Sequence, residues 1–130
     1  METKNTPNPA KEESTDIFAV AEEEDKKSAA IDYAAFVMPL AKPLVHGEKT
    51  YTELTFNFED LSGNDSLMIE RELQTLGHTV IVANFDSEYL IRVCAKACTE
   101  SLGVDALGKL CIRDFNRLRN TVRGFLSRRE

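Results

Sequence analysis

The sequence predicts an α+β domain, a β-hairpin packed on about three helices and preceded by a disordered acidic arm. Three observations carry that reading. TYTELTFNF alternates apolar and polar residues with a period of two, as a half-buried strand does. Residues 86–102 and 111–127 repeat apolar residues every three or four positions, the period of a helix face. The first thirty residues do neither.

That first stretch, residues 1–30, holds eight acidic and four basic side chains, two prolines and the run EEEDKK. Its bulky apolar residues are few, mainly Ile17, Phe18 and Val20. Such a segment buries too little apolar surface to offset its ordering entropy, so a disordered arm is expected. Two roles fit it: a solubilising tail, or a docking motif built on DIFAVAEEE. METKNTPNPAKEES has no basic start followed by an apolar run, so no secretory signal is read. No stretch approaches the ~18 apolar residues of a membrane span.

The domain is expected over residues 31–130, with order beginning near Tyr33. The hairpin is placed at about 35–58. Pro39 and Pro43 rule out a helix there and restrict FVMPLAKPLV to an edge strand. HGEK turns around Gly47, and Leu54, Phe56 and Phe58 then share one face. A lone hairpin is marginal in water, so this face must lie on something.

The first helix is expected at about 64–76, capped by Asn64 or Asp65, with Ile69, Leu73 and Leu76 on one face and Gly77 as its stop. HTVIVANF connects onward, with pairing as an extra strand the alternative. The second helix, about 86–102, is capped by Asp86 and stopped by Gly103. Leu90, Cys94, Ala97, Ser101 and Leu102 form its stripe, while Glu88, Arg92, Lys96 and Glu100 make a charged ridge. VDALGKL is a brief turn of helix or a connector. The last helix, about 111–127, gathers Cys111, Ile112, Phe115, Leu118, Val122, Phe125 and Leu126 on one face. Arg113, Arg117 and Asn120 lie opposite, with Arg119 and Arg123 on the border. The predicted core is Leu54, Phe56, Phe58, Leu90, Cys94, Phe115, Leu118 and Val122.

Signals for catalysis are weak. No glycine-rich phosphate loop is present. His46 and His78 sit in or beside turns, with no carboxylate or cysteine at ligand spacing. Cys94, Cys98 and Cys111 lack the fourth ligand of a structural zinc site and read as small core residues. No carboxylate pair is placed for acid–base work. No enzyme, metal or cofactor is therefore expected.

Charge leaves a choice. From Cys111 to Glu130 six arginines face two acids, although the chain carries a formal net charge of −6. A small nucleic-acid-binding or regulatory adaptor using that helix is the alternative reading. Against it, residues 31–110 hold six basic and twelve acidic side chains. The aromatic rings also stand on the apolar face instead of among the arginines.

The order of the pieces resembles the tail assembly chaperones of contractile-tailed, Mu-like and P2-like phages, over roughly residues 36–126. The motifs are the L-x-K-P strand opening at Leu40, Lys42 and Pro43, then GEKTYTELTF, then a Leu-Ser-Gly helix start. A closing pattern completes them: Leu110, Asp114, Leu118, Val122, Phe125 and Leu126. The resemblance implies a non-enzymatic chaperone of the host cytoplasm, absent from the mature virion. It would hold the tape-measure protein in solution and recruit the tail-tube protein. A longer frameshifted form of the chain would be a further partner, and a homo-oligomer is left open. Arg113, Arg117, Arg119, Arg123, Phe125 and Leu126 are the candidate partner-binding residues. Asp114, early in the last helix, is expected to act structurally, favouring the positive helix end. The acidic arm departs from the family pattern.

Overall fold

The structure, a computed structural model, describes residues 31–128. The expected acidic arm, residues 1–30, lies outside them. Strand β1 (Phe36–His46) and strand β2 (Lys49–Phe56) form an antiparallel hairpin, confirming the α+β class. A 3-10 turn (Phe58–Asp60) leads to helix α1 (Gly63–Thr75). A connector containing the 3-10 turn Ala83–Phe85 reaches helix α2 (Ser87–Ala97). A short helix α3 (Val104–Leu107) precedes the last helix, α4 (Ile112–Leu126).

The hairpin closes at Gly47, whose φ of +65° is the left-handed value that a two-residue turn requires and that glycine supplies without strain. Its register slips between Pro39 and Leu44: Pro39 pairs with Glu53 and Leu44 with Tyr51. Leu40–Pro43 of β1 therefore lie opposite the single residue Thr52. The proline spacing explains the slip, since neither Pro39 nor Pro43 can donate to the ladder. Inward from this hairpin point Met38, Leu44, Leu54 and Phe56, all buried.

Below them the core is closed by α2 and α4. Leu90 and Cys94 of α2 and Leu118 and Val122 of α4 are buried, as is Phe58 beyond the end of β2. Phe56 stacks on Phe58 with centroids 5.7 Å apart, and Phe58 on Phe125 at 5.5 Å. Tyr33 completes this aromatic group 5.0 Å from Phe125. Fully burying one such side chain is worth about 1.5–3 kcal/mol, so this cluster is a main source of stability.

Several sequence expectations change. Helix α1 begins two or three residues earlier than a cap at Asn64 or Asp65 allows. Ser62 is its cap, and the Asp65 carboxylate accepts the Ser62 N–H at 2.8 Å, the reciprocal half of a capping box. Leu76 is exposed because the helix ends at Thr75 and Gly77 turns the chain with φ +82°. The connector forms no strand. Helix α2 stops at Ala97, short of the expected 102, because its continuation is drawn to the hairpin. Cys98 bridges Phe56, Thr99 donates its N–H to the Thr55 carbonyl, and the Glu100 carboxylate accepts the Thr55 N–H through both oxygens, at 3.1 and 3.2 Å. Glu100 thus leaves the charged ridge, and Ser101, at φ +59°, makes the exit that Gly103 was expected to make.

Candidate partner-binding surface

Helix α4 carries every arginine put forward as a partner-binding residue, and the structure gives them different duties. Arg113 is exposed. Arg117 reaches back to the hairpin, donating to the Pro39 carbonyl at 3.3 Å and to Asp114 at 3.2 Å. Arg119 donates to the Ser87 hydroxyl at 2.7 Å and the Asn116 side chain at 2.8 Å, its guanidinium 5.8 Å from the Phe115 ring centroid. Arg123 donates through Nε to the Asn84 carbonyl at 2.9 Å and through Nη1 to Asn120, with its guanidinium 5.1 Å over Phe85. Arg119 and Arg123 therefore staple α4 to the connector and to the start of α2.

Two aromatic and apolar expectations are also refined. Phe115 is only half-buried, because Arg119 covers one of its faces instead of core side chains. Ile112 is 78% exposed, lying across the first turn of α4 from the buried Asp114. Phe125 and Leu126 are half-buried and line a cleft of about 120 Å³ with Leu61, Ile69, Tyr89 and Val93. The Ser66 and Tyr89 hydroxyls pair across it at 2.6 Å. Ligand pockets usually measure ~300–1,000 Å³, so this cleft suits one inserted side chain, not a cofactor.

Asp114 is where the fold departs most from an amphipathic helix. It stands on the buried stripe four residues before Leu118, and its carboxylate has no solvent-accessible surface. Oδ1 accepts the Ala41 N–H at 3.0 Å and Arg117; Oδ2 accepts the Lys42 N–H at 3.2 Å and the Cys111 thiol at 3.2 Å. The slipped stretch Leu40–Pro43 has three N–H groups, and Asp114 takes two of them. Burial alone would raise the carboxyl's pKa. The two strand amides, the thiol and the Arg117 charge outweigh it and hold the pKa below the ordinary 3.8 of aspartate. The expected structural role is real, and its larger part is to anchor β1 onto α4. The sequence carried a signal for it: an acid in register with Leu110, Leu118 and Val122.

A second side-chain contact was missed because it closes a loop. His78 Nε2 lies 2.7 Å from Asp86 Oδ2, while Asp86 Oδ1 accepts the Tyr89 N–H at 3.0 Å and so caps α2. Burial opposes ionisation of Asp86, but the His78 hydrogen bond, the Tyr89 amide and the His78 charge more than offset it, and its pKa lies below the ordinary 3.8. Between these anchors the connector holds its apolar side chains in solvent. Ile81 is 86% exposed and Phe85 70%, with Val82 and Leu76 also exposed. Among the described residues no three His, Cys, Asp or Glu side chains converge to hold a metal. Burial raises the pKa of both Cys94 and Cys98, so these thiols stay protonated.

No curated protein and no solved structure matches the chain. The family model described as "Phage tail assembly chaperone proteins, E, or 41 or 14" matches residues 37–127. That span contains the Pro39–Pro43 slip and the Asp114 that anchors it. The chain belongs to the phage tail assembly chaperone family.

Proposed function

We propose that this chaperone acts without catalysis by binding the tape-measure protein, keeping it soluble and promoting polymerisation of the tail tube around it. The observation that carries the reading is the set of apolar side chains held in solvent by a folded family member, Ile81, Val82, Phe85 and Ile112 foremost. Tape-measure helices expose apolar faces before a tube encloses them, and a holder needs matching surface at modest affinity. The tail-tube protein, and a longer frameshifted form of this chain, are the further partners in this proposal. Its site is the host cytoplasm, and the finished virion of a contractile-tailed phage would lack it.

Co-expression tests this. The tape-measure protein produced alone should be insoluble, and produced with this chain it should remain in the soluble fraction and co-purify. A tape-measure protein equally insoluble in both cases would overturn the proposal.

A further inference from the structure

We infer that the connector around Ile81–Phe85 and the Arg119–Arg123 turn of α4 form one docking surface, and that its occupant is an amphipathic helix with an acidic flank. The inference rests on the chaperone reading above and names the surface and the partner chemistry.

Three observations place these residues together. The Asn84 carbonyl accepts from Arg123 Nε at 2.9 Å, and the Asn84 side chain donates to the Ser127 hydroxyl at 3.1 Å. The Ser87 hydroxyl accepts from Arg119 at 2.7 Å. Phe85 lies beneath the Arg123 guanidinium. Connector, start of α2 and second half of α4 therefore present one continuous surface.

Its apolar part is fixed before any partner arrives. The His78–Asp86 contact closes one end of the connector and the Asn84 contacts hold the other. Ile81, Val82 and Phe85 stay in water on a backbone that is already positioned. Single exposed apolar side chains are ordinary on protein surfaces. Four of the large exposed ones, Leu76, Ile81, Val82 and Phe85, fall within one connector, and that concentration is not ordinary. Binding to a preset surface loses little further conformational entropy.

Its charge decides the occupant. Among the described residues Arg113, Arg119 and Arg123 have no carboxylate partner. The acceptors that orient Arg119 and Arg123 are neutral: Ser87, Asn116, Asn84 and Asn120. Of the two acids flanking Ser87, Asp86 is turned to His78 and to the Tyr89 amide, and Glu88 to Arg92. Arg123 keeps Nη2 without an acceptor among the described residues. Two oriented guanidinium groups one helical turn apart, uncompensated and beside an apolar ridge, fit a helix that presents leucine-like side chains next to glutamates. Phosphate would satisfy the cations and leave the ridge uncovered, which disfavours nucleic acid.

The test titrates the full chain with a synthetic amphipathic helical peptide rich in Leu and Glu, and with a control carrying Lys for Glu. Amide NMR shifts map the contact. Shifts gathered in residues 78–88 and 115–127 are expected, with the Lys peptide bound far more weakly. The double variant Ile81→Ser/Phe85→Ser alters only exposed positions, and it should weaken the Leu/Glu peptide at least about tenfold, or about 1.4 kcal/mol. Shifts on the hairpin or in the Phe125 cleft, equal binding of both peptides, or an unchanged double variant would each overturn the inference. So would a dimer of the free chain that dissociates in the double variant, or tighter binding of a single-stranded oligonucleotide than of the peptide. The two proposals fail separately. If the double variant still solubilises the tape-measure protein, this surface is wrong and the chaperone reading stands. If wild type fails to solubilise it while the peptide maps here, the reverse holds.

Discussion

Replacing Asp114 by asparagine keeps the side chain's shape and removes its charge, which isolates the anchor between α4 and the slipped strand. All four groups around the carboxylate are donors: the amides of Ala41 and Lys42, the Cys111 thiol and the Arg117 guanidinium. An asparagine offers one accepting oxygen and turns its own N–H groups toward the remaining donors. A hydrogen bond to a charged acceptor contributes about 1.5–3 kcal/mol, and two backbone bonds are weakened here. Ala41 and Lys42 are themselves exposed, so water can partly replace the loss. The lower end applies, a cost of about 3 kcal/mol at pH 7, a large share of a small domain's stability. Urea denaturation followed by circular dichroism measures it, as a lower midpoint at unchanged slope. The pH dependence adds a second check. The folded carboxyl has a depressed pKa, so its contribution is complete above the ordinary 3.8 and is lost as pH falls through the folded value. The gap between wild type and Asp114→Asn should therefore be full at neutral pH and close in acid. A cost below about 1 kcal/mol at pH 7, or a gap that persists in acid, would refute the anchor.

Two further outcomes follow from the geometry. Leu118→Ala empties a fully buried position of α4 and should cost about 2–5 kcal/mol by the same denaturation measurement, without changing α4's helicity at low temperature. Asp86→Ala removes the α2 cap together with the His78 contact and should cost about 1–2 kcal/mol in thermal melts, more than His78→Ala, which leaves the cap in place.

The parts of this fold that could be read in advance are those where one local rule dominates. Period-two alternation in TYTELTF, the stop at Gly77 and the Asp86 cap each depend on neighbours within a few positions, and each is found where the pattern puts it. The end of α2 could not be read so, because Cys98–Glu100 continue the helical pattern and are diverted by β2, some 45 positions away in the chain. The arginines of α4 misled for a related reason. A helical wheel shows which face they occupy, but not that Ser87 and Asn84 would tie two of them to the start of α2 and the connector. Phe115 loses its place in the core to the same contacts. The connector's exposed ridge was the least legible: HTVIVANF is as apolar as a buried strand, yet among the described residues no strand pairs with it.

The Asp114 anchor also imposes an order in time. The carboxylate that secures Ala41 is encoded 73 positions after it, beyond almost everything else in the domain. While the polypeptide is being synthesised, β1 can close onto β2 across Gly47, yet the offset between its two prolines has nothing to set it. Closing so long a loop is slow and entropically costly, and only the arrival of the final helix rewards it. The offset of β1 is therefore secured last, when α4 docks and Asp114 reaches the Ala41 and Lys42 amides.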